Sequence, residues 1–218
     1  MKIIRATIIL LPLLLLPSCI VSDQITTLII QPDGSAEVIV VRSNIHFRGN
    51  DKKREEELNE YKRKFNDGEQ FWFERIRTSG GNIEETRWIK KTPPMANYLR
   101  GSLPDQEAVE KLLTLDNNWK IQSNITTDGS TKTLMVKVTP PPDKKLSAPQ
   151  SDPEKIRRKL ANSISHTRIA IQNGKITDAK GSVVADDNQS ALVDQGAFPD
   201  RLWEENERVE LRLSWRHN

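Results

Sequence analysis

Residues 25–41 of the chain read ITTLIIQPDGSAEVIVV. Two runs rich in β-branched residues stand on either side of Asp33-Gly34. Such runs favour strands, and glycine accepts the positive φ of a tight turn without steric cost. The sequence therefore predicts a β-hairpin that turns at Asp33-Gly34.

The same signals recur along the chain and predict further strands. Asp-Gly returns at residues 128–129 and Asn-Gly at residues 173–174, each between two β-rich runs. Near the end of the sequence, apolar and polar residues alternate, which is the pattern of a half-buried strand. The predicted strand pairs are residues 82–91 with 95–103, 119–127 with 130–139, and 167–172 with 175–179, followed by a last strand over residues 208–215.

Helical signals separate these hairpins. Leu58, Tyr61 and Phe65 form a narrow apolar stripe in a highly charged segment. Pro104 is followed by two acidic residues, which suit the first turn of a helix. The predicted helices cover residues 51–65, 71–76 and 104–113, with a short fourth helix that begins at Ser151 or Asp152.

Together these elements predict an α+β fold. In this interpretation an antiparallel sheet is built from successive β-hairpins, and the helices pack on one face of it. Residues 24–218 form a single domain. Prolines and other turn residues cluster at residues 140–153, and that segment is either a loop within the domain or a linker between two domains.

Composition excludes several classes of protein. The chain has 218 residues with 33 basic and 30 acidic side chains, a formal net charge of +3. Lys2 and Arg5 are the charged residues of the first 18, so removal of that segment would leave a net charge of +1. The sequence pI of about 8.9 therefore gives no reason to expect a nucleic-acid partner. A hydrophobic content of 36% with one cysteine also excludes a polytopic membrane protein and a disulfide scaffold.

The start of the chain follows the secretory pattern of a short basic segment and an apolar run. The run is too short for a spanning helix, which needs about 20 residues. Its end, Leu16-Pro17-Ser18-Cys19, resembles the lipobox of bacterial lipoproteins. Pro17 stands where that family usually has a small residue. An ordinary leader that is cut elsewhere, with Cys19 incidental, is the alternative interpretation.

The resemblance implies that residues 1–18 are a signal peptide that is removed and that Cys19 becomes the lipidated first residue. In that family the thiol is joined to a diacylglycerol, and the new amino terminus is then often acylated with a fatty acid such as palmitate. Residues 19–23 would form a lipidated tether. Ile20 and Val21 stand where inner-membrane retention signals usually place Asp, which implies the outer membrane in a Gram-negative cell. The rest of the chain resembles, in outline, uncharacterised bacterial envelope lipoproteins of α+β fold.

No motif in the sequence predicts catalysis, and we expect neither a cofactor nor a metal ion. The three histidines, His46, His166 and His217, lack the second ligand that zinc sites on helices place three or four residues away. Asp186-Asp187-Asn188 lacks the rest of a standard calcium loop. The acidic run at residues 55–57 lies among lysines and arginines, which is typical of solvated ion pairs.

Two tryptophans are candidate binding residues. Trp72 lies between Phe71 and Phe73, and a helix there cannot bury all three rings on one narrow stripe. Trp203 lies in a segment of loop-like composition. Exposed rings at these two positions would stack on sugars or dock a protein partner. The other tryptophans are expected to be buried in strands, and they are Trp88, Trp119 and Trp215.

We therefore predict a lipid-anchored cell-envelope protein that faces the periplasm or the outer surface and has a non-catalytic structural or interaction role. Its partners are the membrane, through lipid on Cys19, and an envelope protein. One alternative is a glycan- or peptidoglycan-binding module that uses Trp72 and Trp203. Another is a hydrolase of unrecognised type, which needs a concave pocket lined by converging polar groups. The candidates for that pocket are Glu84, Glu85, Asp186, Asp187 and His166.

Overall fold

The structure is a computed structural model, and it describes residues 20–47, 53–116, 120–139, 167–193 and 209–217. The lipobox at residues 16–19 lies outside these ranges. So do Trp119, His166, Trp203, the proline-rich segment and the helix predicted after it.

The described residues form twelve strands and three helices. The strands are β1 Ile20–Ile30, β2 Ala36–Phe47, β3 Asn82–Lys90, β4 Met95–Leu103, β5 Leu115–Asp116, β6 Lys120–Asp128, β7 Thr131–Thr139, β8 Thr167–Ile171, β9 Gly174–Lys180, β10 Ser182–Val184, β11 Ser190–Val193 and β12 Val209–His217. The helices are α1 Arg54–Asn66, α2 Phe71–Thr78 and α3 Gln106–Leu113. The predicted hairpins β1–β2, β3–β4 and β6–β7 are confirmed, as are the first three predicted helices and the last strand.

The strands form two sheets rather than one. A seven-stranded sheet has the order β10-β11-β8-β1-β2-β4-β3, and a five-stranded sheet has the order β5-β6-β7-β12-β9. The predicted α+β fold, one antiparallel sheet with helices on one face, is therefore wrong, because the protein is mostly β-sheet. Each sheet has an apolar face, and residues of both faces and of the helices belong to one cluster of buried side chains.

The segment Asn173-Gly174 does not form the predicted hairpin. The strand before it, β8, pairs in parallel with β1, whereas the strand after it, β9, pairs with β12 in the other sheet. Asn173 has the positive φ of a tight turn, 52°. A Cβ atom on Gly174 would lie 2.7 Å from the carbonyl oxygen of Arg216, so glycine is required where the chain crosses. The turn signal is real, but the turn joins two sheets.

The main core lies between the sheets. On the seven-stranded sheet, Val38 and Ile169 lie on either side of Leu28, and none of the three is more than 2% exposed. On the five-stranded sheet, Leu134 and Leu213 are directly opposite each other and fully buried. All five belong to one continuous cluster of buried side chains. Removal of this apolar surface from water is the main source of stability.

Two helices pack against the same inner face as the five-stranded sheet. α2 lies close to β4 because Gly101 has no side chain, and a Cβ atom there would lie 2.9 Å from Cδ1 of Ile76. α3 begins at a capped turn, in which Oδ1 of Asp105 accepts a 2.8 Å hydrogen bond from the backbone nitrogen of Ala108. The seven-stranded sheet is thus covered on its inner face by the second sheet and by these helices.

β1 begins at Ile20, one residue after Cys19. Ile20 is paired with Phe47, and both pack against a second, smaller buried cluster formed by β2, α1 and β4. Residues 20–23 are therefore the start of a strand, not part of the tether that we predicted for residues 19–23. The polar Ser22 and Asp23 do not end the strand, because pairing with β2 uses the backbone. No helix in the described ranges is long and apolar enough to cross a membrane.

Candidate functional site

The outer face of the seven-stranded sheet, which points away from the core, carries exposed apolar side chains. Ile25 on β1 is 55% exposed, Leu192 on β11 is 48% exposed and Val183 on β10 is 60% exposed. Half-buried apolar residues of β1 and β2 lie beside Ile25 on the same face. We call this surface the outer patch, and its apolar members are Ile25, Ile29, Ile39, Val41, Val183 and Leu192.

Strand register places three members of the outer patch in one cross-strand row, and they are Val183, Leu192 and Ile39. Val183 lies opposite Leu192, which lies opposite Arg168. Thr27 is the next residue of the row, between Arg168 on β8 and Ile39 on β2. Side chains directly opposite one another on adjacent strands point to the same face and lie about 5 Å apart. The row therefore crosses five strands, with Arg168 and Thr27 between its apolar ends.

The outer patch follows from the sequence of β1 and β2. Both strands have apolar residues at successive positions, which is typical of strands covered on both faces. The described residues cover only the inner face. Sequence reasoning noted these runs as hairpin signals and missed the site, although their incomplete alternation was the available signal. Clusters of exposed apolar side chains are typical of interaction sites.

A single cation, Arg168, lies within the patch. Its side chain is exposed, and Nη2 donates a 2.9 Å hydrogen bond to Oγ of the buried Ser190. Within the part of the chain that the structure describes, Arg168 has no acidic partner. A guanidinium can bind a carboxylate through two parallel hydrogen bonds.

Toward β3, the outer face becomes polar and its charges are already paired. Arg100 lies 3.6 Å from Glu37 and 3.8 Å from Glu85. Glu84 accepts a 2.6 Å hydrogen bond from the hydroxyl of Ser102. These groups form a polar border on one side of the outer patch, and the described contacts give Glu84 and Glu85 structural roles.

The structure does not bring together the described members of the predicted hydrolase site. Asp186 and Asp187 lie in the turn between β10 and β11, where Oδ1 of Asp187 accepts a 2.9 Å hydrogen bond from the backbone of Gln189. Glu84 and Glu85 lie on β3, at the opposite edge of the sheet. Five strands separate β3 from β10, which places the two pairs about 29 Å apart at ordinary strand spacing. No group of three potential ligands in the described ranges could hold a metal ion.

Trp72 is buried, which does not fit the prediction of an exposed binding ring. It is 7% exposed and belongs to the main core, whereas its neighbour Phe71 is 45% exposed. The prediction that α2 cannot bury all three rings was correct, but the ring left outside is that of Phe71. The reason is helix phase, because Trp72, Phe73 and Ile76 face the core together.

The pKa of Arg75 is shifted because its guanidinium is largely buried between α2 and α3. Burial lowers the pKa of Arg75 to about 10, so the guanidinium stays charged at neutral pH. It donates hydrogen bonds to the carbonyl oxygens of Leu112 and Thr114 at the end of α3. Arg75 therefore joins α2 to α3.

Comparison of the chain with protein-family models, with curated proteins and with solved structures gives no match.

Proposed function

We propose that the chain is a lipid-anchored protein of the bacterial cell envelope whose folded body docks a protein partner and has no catalytic role. The anchor is proposed from Leu16-Pro17-Ser18-Cys19. In a Gram-negative cell the location is the outer membrane, because Ile20 rather than Asp follows the cysteine. The observation that carries the docking role is the outer patch.

The outer patch suggests the chemistry of the partner. Its apolar residues would be covered by an apolar surface of similar extent, because exposed apolar area favours association through the hydrophobic effect. Arg168, in the middle of the row, would meet an Asp or Glu of the partner. The paired charges near β3 would remain at the solvated rim. The proposed partner is therefore an envelope protein with an apolar surface that surrounds a carboxylate.

Site-specific photo-crosslinking tests the docking role. A photoreactive phenylalanine analogue replaces Ile25 in the full chain, expressed in the bacterium that encodes it. We expect one discrete protein adduct. The matched control is the same analogue at Gln122, which is exposed on the five-stranded sheet and should give no adduct. The analogue is also placed at Leu192, a second exposed residue of the outer patch. If neither the Ile25 variant nor the Leu192 variant gives an adduct, the docking role is contradicted.

A charge reversal tests the chemistry of the partner. Arg168→Glu places a carboxylate opposite the carboxylate expected on the partner, and the two repel each other. A loss of about 1.4 kcal/mol in binding free energy lowers affinity tenfold. The yield of the adduct at Ile25 should therefore fall at least tenfold. Lys137→Glu is the control, because Lys137 is exposed on the other sheet. An adduct that survives Arg168→Glu unchanged would rule out a role for this charge.

Metabolic labelling tests the anchor. With an alkyne analogue of palmitate, the wild-type chain should become labelled and partition into detergent, and Cys19→Ser should do neither. An unlabelled wild-type chain would overturn the anchor. The docking role is decided separately, by the crosslinking experiment.

A further inference from the structure

The tip of the β3–β4 hairpin lies at the same end of the seven-stranded sheet as the start of β1. β1 and β4 are both neighbours of β2. Ile20 is paired with Phe47 of β2, and Met95, the first residue of β4, is paired with Ile45 of β2. Ile45 and Phe47 are two residues apart, about 7 Å along the strand. The residues that join β3 to β4 extend past Met95 and so reach the level of Ile20.

This hairpin tip, residues 89–94, has an unusual surface. Its sequence is Ile-Lys-Lys-Thr-Pro-Pro, and every side chain in it is exposed. Ile89 is 56% exposed. The tip contains two lysines and no acidic residue. An apolar side chain beside lysines suits the boundary between lipid headgroups and acyl chains.

Both the position and the composition of the β3–β4 tip suggest that it contacts the membrane surface. Under the proposed function, the acyl chains are attached at Cys19, whose Cα lies about 3.8 Å from that of Ile20. Because Ile20 is already paired in the sheet, no free chain separates the anchor from the folded body. The strand spacing places the tip about 10–15 Å to the side of β1. The anchored sheet end and the tip therefore meet the same membrane surface.

We propose that the β3–β4 tip inserts into the headgroup region of the membrane that holds the anchor. Ile89 enters the boundary of the acyl chains, and Lys90 and Lys91 contact the phosphates of anionic phospholipids. Two attachment points, the lipid on Cys19 and this tip, fix the orientation of the body relative to the membrane. This inference rests on the lipid anchor of the proposed function.

Depth-dependent quenching tests the contact in the full, lipidated chain. Ile89→Cys is labelled with an environment-sensitive fluorophore, since the sulfur of Cys19 is blocked by its thioether. The protein is reconstituted into vesicles of phosphatidylethanolamine and phosphatidylglycerol that contain lipids with quenchers on the acyl chains. The matched control is Asn82→Cys, which is exposed at the other end of the same strand, about 23 Å away. We expect at least threefold stronger quenching at position 89 than at position 82.

The possible outcomes separate the two proposals. Equal quenching at the two positions, in protein that floats with the vesicles, would overturn the tip contact and leave the anchor intact. Protein that remains in the aqueous fraction would overturn the anchor and, with it, this orientation. Quenching at position 89 that is the same without phosphatidylglycerol would overturn the part assigned to anionic lipid.

A lysine variant tests the electrostatic part directly. In the Ile89→Cys chain, Lys90→Gln with Lys91→Gln should reduce quenching about twofold and remove its dependence on phosphatidylglycerol. Lys175→Gln with Lys180→Gln removes the same charge from exposed positions of β9 and should change nothing. If both double variants behave alike, the lysines of the tip do not contact lipid.

Discussion

Asp33 accepts two hydrogen bonds from Ser35, at 2.7 Å from the hydroxyl and 2.9 Å from the backbone nitrogen. Both bonds lower the pKa of the exposed Asp33 carboxyl below its ordinary value of 3.8, and the bond from the hydroxyl has the larger effect. These bonds lie in the Asp33-Gly34 turn of the β1–β2 hairpin, so the pKa of Asp33 reports on whether the turn is formed.

Ser35→Ala should raise the pKa of Asp33 toward its ordinary value, because the hydroxyl donor is lost. NMR titration of the Asp33 carboxyl measures the change, and Ser130→Ala, at the other Asp-Gly turn, should leave Asp33 unaffected. Since the folded-state pKa is lowered, the ionised Asp33 stabilises the turn fully above the ordinary value, and this contribution is lost as pH falls through the folded-state pKa. An unchanged pKa in Ser35→Ala would contradict the assignment.

Substitutions on the two faces of β1 should differ strongly in their effect on the free energy of unfolding. Leu28→Ala removes a core side chain that is 1% exposed and should lower the free energy of unfolding by about 3 kcal/mol. Ile25→Ala, on the outer patch, should change it by less than about 0.5 kcal/mol. Urea unfolding of the purified protein measures both. The reverse order would mean that β1 is shifted by one residue, since that shift exchanges its faces.

Arg75→Met should destabilise the protein by about 2 kcal/mol, because two carbonyl oxygens at the end of α3 lose their donor. Methionine keeps much of the apolar length, so the loss reports on the hydrogen bonds. Arg77→Met is the control on the same helix. Arg77 is exposed and donates a 3.2 Å hydrogen bond to the carbonyl oxygen of Gly68 that water can replace, so its loss should cost less than about 0.5 kcal/mol. Similar losses in the two variants would show that Arg75 does not hold α3.

Trp72→Phe should cost less stability than Trp215→Phe, by about 1 kcal/mol or more. Nε1 of Trp72 is buried without a hydrogen-bond partner in the described part of the structure, so phenylalanine removes an unsatisfied donor. Nε1 of Trp215 donates a 3.0 Å hydrogen bond to Nε2 of His217, which Trp215→Phe would break. Thermal or chemical unfolding compares the two, and equal costs would indicate that Trp72 Nε1 is satisfied.

The local elements were predictable because their signals are local. Asp33-Gly34 and Asp128-Gly129 specify tight turns, and the strands beside them pair with each other. Asn173-Gly174 specifies a turn equally well, yet nothing in its neighbourhood determines which sheet each flanking strand joins. That choice is made by β1 and β12, which lie far away in the sequence.

The candidate site was less predictable than the fold for a related reason. Trp72 was considered as an exposed ring, but the phase of α2 relative to the core decides which ring is outside, and that phase depends on packing against β4. The outer patch depends on which faces other elements cover. Apolar residues at successive positions of β1 show that both faces can be buried, and not which one is left open.

The parallel pairing of β1 with β8 joins parts of the chain that are far apart in the sequence. Thr26 pairs with Thr167, so a segment of roughly 140 residues must be closed into a loop before the first strand meets its second neighbour. Pairings of this kind are slow to form, because the loop must close before its contacts stabilise the sheet. Until then, one edge of β1 has unpaired backbone groups that can recruit a strand from another chain. A chaperone that shields this edge until β8 has paired would raise the yield of folded protein.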